Sequence, residues 1–122
     1  MKLPAAHELI AFFGSEPALA DGNLPWAYNQ LTFRVTTSDE RLTVVVAAGF
    51  ENVRLLWEDS KGIRLALDLG GVSELAVREE GRRAVLVVSS AVAHVKPLSL
   101  FLIPTVSVVF GTEGRGDEGS NR

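Results

Sequence analysis

Residues 30–69 read QLTFRVTTSDERLTVVVAAGFENVRLLWEDSKGIRLALDL. From Gln30 onward apolar and polar residues alternate: Leu31, Phe33 and Val35 are separated by Thr32 and Arg34. The same period returns in Leu42, Val44 and Val46, in Val53, Leu55 and Trp57, and in Ile63, Leu65, Leu67 and Leu69. A period of two puts each set on one face of an extended strand and its polar neighbours on the other. Turn-forming residues fall near Asp39, Gly49, Ser60, Gly70 and Gly81, a spacing of about eleven residues. Short strands joined in order by tight turns make an antiparallel meander. The fifteen valines of the chain suit strands, where a β-branched side chain packs well.

The alternation also predicts partners. A hairpin centred on Ser60 sets Trp57 opposite Ile63, Leu55 opposite Leu65 and Val53 opposite Leu67, with Arg54 and Arg64 on the other face. A second hairpin at Glu80-Gly81 pairs Val77 with Ala84 and Leu75 with Leu86. A slip of one residue would reverse both faces. Arg34, Arg54 and Arg64 then form a cross-strand charge ladder with Glu58 and Asp68.

On either side of this stretch the pattern changes. Residues 84–88, 98–103 and 105–110 are apolar on nearly both faces, as in strands covered on two sides. Pro97 and Pro104 mark strand ends, because proline cannot donate to a ladder. More apolar surface lies here than one short helix covers, and a homodimer would cover it. Upstream, residues 3–13 (LPAAHELIAFF) read as one helix. Pro4 suits its first turn, Ala6, Ile10 and Phe13 with Leu9 form its apolar stripe, and Gly14 ends it in the left-handed region. Residues 15–29 (SEPALADGNLPWAYN) have neither period, yet carry Leu19, Leu24, Trp26 and Tyr28, so they read as a cover lying on the core. The Gly-rich, polar residues 112–122 read as a disordered tail.

The expected architecture is mainly β. Seven or eight antiparallel strands in meander order form a curved sheet, a barrel or a sandwich, with one short N-terminal helix. A single domain over residues 1–111 accounts for the length.

Composition removes several functions. Of 122 residues, 47% are hydrophobic, which excludes disorder for most of the chain. There is no cysteine, hence no disulfide, thiolate metal site or Cys nucleophile. No apolar run approaches a membrane span, and Leu9 to Phe13 is too short for a signal-peptide core, so the expected location is cytoplasmic. Nine of the twelve basic residues are Arg, a bias that suggests a bacterial source. Residues 1–29 carry Lys2 against Glu8, Glu16 and Asp21, and residues 30–110 carry nine basic and nine acidic groups. Without a surplus of cations the chain does not suit nucleic acid.

No catalytic pattern is found. His7 and His94 are not in an HExxH or HxH spacing, so no metal is expected. Ser89 and Ser90 precede His94 without a nucleophile elbow. Gly70-Gly71 lacks the surroundings of a phosphate loop. The carboxylate pairs Asp39/Glu40, Glu58/Asp59 and Glu79/Glu80 fall at hairpin tips, where solvated turn residues belong. Arg115-Gly116-Asp117 spells an adhesion tripeptide, in a context that gives it no such role. No cofactor is implied. The aromatic residues Trp26, Tyr28 and Trp57, with Asn29, are the candidate binding residues, because Trp and Tyr combine an apolar body with a polar tip. Against this, Trp57 also reads as sheet core and Trp26 as a lid over it.

The segments Phe13-Gly14-Ser15-Glu16-Pro17, Pro25-Trp26-Ala27-Tyr28-Asn29 and Pro97-Leu98-Ser99-Leu100-Phe101-Leu102-Ile103-Pro104 resemble those of a family of small uncharacterised bacterial proteins. That resemblance implies no activity, cofactor or site. The function that fits best is a non-catalytic binding or interaction module with a protein partner. Bacterial immunity proteins that neutralise a toxin are an analogous class of this size. A carrier of a small apolar ligand is the alternative, and an enzyme ranks third.

Overall fold

The computed structural model describes residues 1–111. The expected alternation becomes strand after strand. β1 is Ala18–Leu19, β2 Gln30–Thr36, β3 Glu40–Ala47, β4 Asn52–Asp59 and β5 Gly62–Leu69. They form one antiparallel sheet in the order β1-β2-β3-β4-β5. β6 (Val72–Glu80), β7 (Arg83–Ser90), β8 (Leu98–Phe101) and β9 (Ser107–Val109) form a second, again in chain order. Neither sheet closes into a barrel. The expected meander with one N-terminal helix is what the chain adopts, and the strand beyond the eight read from sequence is two-residue β1 inside the cover segment. The tail at 112–122, with Arg115-Gly116-Asp117, lies outside the described residues.

Pairing stacks the inner side chains of the first sheet into three rows. Leu31, Val46, Val53 and Leu69 make the first, Phe33, Val44, Leu55 and Leu67 the second, and Val35, Leu42, Trp57 and Leu65 the third. The second sheet answers with Leu75, Leu86, Val88, Leu98 and Leu100, and both faces belong to one buried cluster. The apolar excess of β7 and β8 is therefore met largely within the chain, whereas Ile103, Val109 and Phe110, in the stretches also expected to be covered on both faces, are exposed. The inner faces of β7 and β8 pack on the first sheet, while outward Val85 and Phe101 are buried too, Phe101 with the Arg83 guanidinium 4.1 Å from its ring centre.

The helix α1 (Ala6–Phe13) starts three residues later than its sequence pattern suggested. The chain before it is used differently. Lys2 bridges to Glu74 on the outer edge of β6, donating to the Ser73 carbonyl and accepting from the Leu75 N–H. Glu8 accepts the Ala5 N–H at 3.0 Å and so closes the first turn. Gly14 ends the helix at φ 78, donating to the Ile10 carbonyl. The buried stripe is Leu9 and Phe13, while Ala6 is exposed. Phe13 stacks on Phe33 at 4.3 Å, and the helix touches β2 of one sheet and β6 and β7 of the other. No helix among the described residues is long and apolar enough to cross a membrane.

Both hairpins keep the expected faces with a register two residues away. The first turn is only Ser60-Lys61, held by Asp59 Oδ1 accepting the Lys61 N–H at 2.8 Å, with Gly62 at φ 125. A bulge then skips Arg64, so Trp57 meets Leu65, Leu55 meets Leu67 and Val53 meets Leu69. A two-residue shift preserves parity, and only Ile63 changes face: it pairs with Glu58 and is 65% exposed. In the second hairpin Gly81, at φ 66, begins a two-residue loop, pairing Val77 with Leu86 and Leu75 with Val88. The charge ladder is redrawn accordingly. Arg41 bonds Glu58 at 3.4 Å, and Arg64 bonds Asp59 at 3.0 Å with its guanidinium 5.0 Å from the Trp57 ring centre.

Phe33 lies where helix and sheet meet, so Phe33→Ala should lower stability by about 3–5 kcal/mol in urea unfolding. Ile63→Thr, which removes only an outward methyl surface, should change it by less than about 0.5 kcal/mol. Equal losses would contradict the bulged register.

Candidate functional site

The cover segment ends in a one-turn 3-10 helix, Trp26–Tyr28, and the β3–β4 connection forms another, Ala48–Phe50. The two lie side by side. Each turns its first residue toward the protein and its last away. Trp26 is half-buried, edge-on to Phe33 at 6.3 Å, and Ala48 is buried. Tyr28 is 74% exposed and Phe50 86% exposed. Leu24 and Leu19 are also exposed. Between the turns lies a surface hollow of about 210 Å³, lined by Tyr28, Phe50, Leu24, Asn29, Asp21 and neighbouring backbone.

Asn29 makes this corner rigid. Its residue is 4% exposed, and its carboxamide fastens the preceding loop. Nδ2 donates to the carbonyls of Asp21 and Leu24, and Oδ1 accepts the Asp21 N–H at 3.2 Å. Asp21 in turn accepts the Asn23 N–H at 2.9 Å, a local turn made by a short acidic side chain. Phe50 is held from the other side. Glu51, at φ 53, donates its N–H to the Ala48 carbonyl and accepts the Val72 N–H of the second sheet at 3.0 Å. Its carboxylate lies 3.8 Å from the Met1 ammonium. The aromatic side chains are thus displayed on anchored backbone. The hollow's lining contains one carboxylate, Asp21, and no lysine or arginine.

The four candidate residues therefore separate. Tyr28 and Asn29 belong to the corner, one as display and the other as clasp. Trp26 packs beneath, as a lid on the core. Trp57 is elsewhere: its row is two removed from the row that ends beside the corner, and its Nε1 is buried without a hydrogen-bond partner among the described residues. Phe50 was not singled out in the sequence. Its signal was an aromatic residue inside a turn, beside Gly49, outside the parity of both flanking strands. Among the described residues no group of three His, Asp or Glu is placed to hold a metal ion.

No family model matches the chain, and no curated protein matches its sequence. Its fold is similar to that of a chain in the solved structure of a contact-dependent growth inhibition toxin–immunity protein complex from Klebsiella pneumoniae 342. The TM-score is 0.77 at 12% identity, over 92% of this chain and 96% of that one. At such identity the likeness is one of fold.

The geometry gives each corner residue its own expected cost. Trp26→Ala should lower stability by about 2–3 kcal/mol and Asn29→Ala by about 2 kcal/mol, through lost packing and stranded backbone groups. Tyr28→Ala should stay within about 0.5 kcal/mol of the parent, as an exposed side chain does. Thermal and urea unfolding of the three variants measure this, and a Tyr28 loss as large as that of Trp26 would mean that Tyr28 is not a display residue.

Proposed function

We propose that this protein is a non-catalytic binding module of the bacterial cytoplasm that grips a partner protein through the Tyr28–Phe50 corner, in the manner of an immunity protein. The observation that carries this reading is the pair of large aromatic side chains standing out from adjacent, anchored turns. Burying a side chain of that size gains about 1.5–3 kcal/mol, and anchored backbone spares the ordering cost that a mobile loop would add. Exposed aromatics at the centre of a contact are where binding energy concentrates. The described neighbour comes from a complex of a toxin with its immunity protein, which supports a protein as the partner. One carboxylate and no cation in the lining favour a partner surface with Lys or Arg around an apolar recess.

A carrier role finds less support. The expected carrier used a barrel interior, and the described strands form two open sheets in place of a barrel.

The test is co-expression of the full chain with candidate bacterial toxin domains whose surfaces carry Lys or Arg around an apolar recess. A stable complex is expected on size exclusion. Tyr28→Ala and Phe50→Ala should each weaken it about 30-fold with unchanged melting, as for residues worth about 2 kcal/mol at a contact. Ile63→Thr, away from the corner, should bind as the parent does. A complex indifferent to both aromatic substitutions would place the contact elsewhere.

A further inference from the structure

The outer face of the first sheet carries an open depression of about 440 Å³ floored by Thr43, Val45, Leu56 and Ala66. Two successive cross-strand pairs between β4 and β5 bound it on this face. Leu56 stands opposite Ala66, and Arg54 stands opposite Asp68. Each pair joins opposites, large with small and positive with negative.

We propose that this face is the interface of a two-fold homodimer, with a second copy of the chain as its occupant. Consider a two-fold axis lying in the interface, parallel to β4 and β5 and midway between them. It sets the β4 side of one copy against the β5 side of the other. Leu56 then fills the space above Ala66 of the partner subunit, and Arg54 meets Asp68 of the partner subunit; each contact is made twice. An isologous interface requires this self-complementarity, and opposite charges facing across it fix the register. Strands of the two copies then run nearly aligned, as packed sheets do.

The state of the two charges fits. Arg54 makes no ion pair among the described residues although Asp68 is its strand partner. Asp68 is already oriented, accepting from Asn52 Nδ2 at 2.7 Å. One guanidinium is thus unpaired beside a carboxylate held in place, and the axis supplies each with a partner from the other copy. The aromatic corner lacks this property: its lining holds one carboxylate, Asp21, and no lysine or arginine that a second copy could bring to it.

The experiment uses the full chain in sedimentation equilibrium and native mass spectrometry, with melting curves of every variant. The parent should show a species of twice 13.1 kDa. Arg54→Asp sets like charges against each other twice per dimer, so it should raise the dissociation constant at least about tenfold, as should Asp68→Arg. The double variant restores opposite charges at both positions and should return to within about threefold of the parent. Leu56→Asp should give a monomer that still unfolds cooperatively, at a lower midpoint than the dimer. A parent that stays monomeric at about 100 μM overturns the proposal, because a specific interface of ordinary size holds far below that. So does a dimer indifferent to Leu56→Asp, or a double variant no better than the worse single one. None of these outcomes bears on the Tyr28–Phe50 corner, which is tested separately by partner binding.

Discussion

Burial of the two inner sheet faces against each other is the constraint on which the rest of the molecule depends. Three rows of apolar side chains on β2 to β5 meet Leu75, Leu86, Val88, Leu98 and Leu100 from the second sheet. Neither face could remain in water, since each buried Leu or Val contributes about 1.5–3 kcal/mol on leaving it. The helix closes the side of the layer that the strands leave open, through Leu9, and through Phe13 stacked on Phe33. Residues that the core does not need are then free for other tasks. Tyr28, Phe50 and Leu56 are such residues, and each lies on backbone that the core holds in place.

Parity is what the sequence makes legible, and parity suffices for the architecture. Leu31, Phe33 and Val35 declare their face without reference to any partner, and so do Val53, Leu55 and Trp57. Register is not legible in the same way, because it depends on how the turn is closed. The Asp59 side chain closes the first hairpin over two residues, and the bulge at Arg64 moves the strand one residue further. Neither event changes the pattern of the strand beyond it. The cost falls on Ile63 alone, apolar by pattern and exposed in fact. A bulge has no composition of its own, so a residue next to one is where a period-two reading fails.

The candidate site was half legible for a related reason. The segment Pro25 to Asn29 drew attention because its large side chains had no period to explain them, and the corner is built there. Which of these side chains faces out could not be read, because a 3-10 turn places successive residues about a third of a turn apart and neither alternation nor helical spacing applies. Trp26 goes in against Phe33 and Tyr28 goes out. Phe50 stands in the turn after β3, outside the alternation of either flanking strand, so no period assigns it a face. Asn29, as polar as any surface residue, is the buried clasp.

The corner and the outer face of the first sheet differ in what they can accept, and the difference is one of symmetry. The lining of the corner holds one carboxylate and no lysine or arginine beside its aromatic rings. A second copy would bring no lysine or arginine of the same lining to that carboxylate, so the corner suits an unlike partner. The outer face of the first sheet carries both signs in cross-strand pairs, and a cross-strand pair of opposites is what a two-fold axis between its strands requires. The two surfaces also lie on different parts of the chain: the corner on connections before β2 and after β3, the outer face on residues within β3, β4 and β5. Occupation of one therefore does not obstruct the other through shared residues. A dimer formed through the sheet would present two corners, each on its own anchored turns, and each open to a partner of opposite charge.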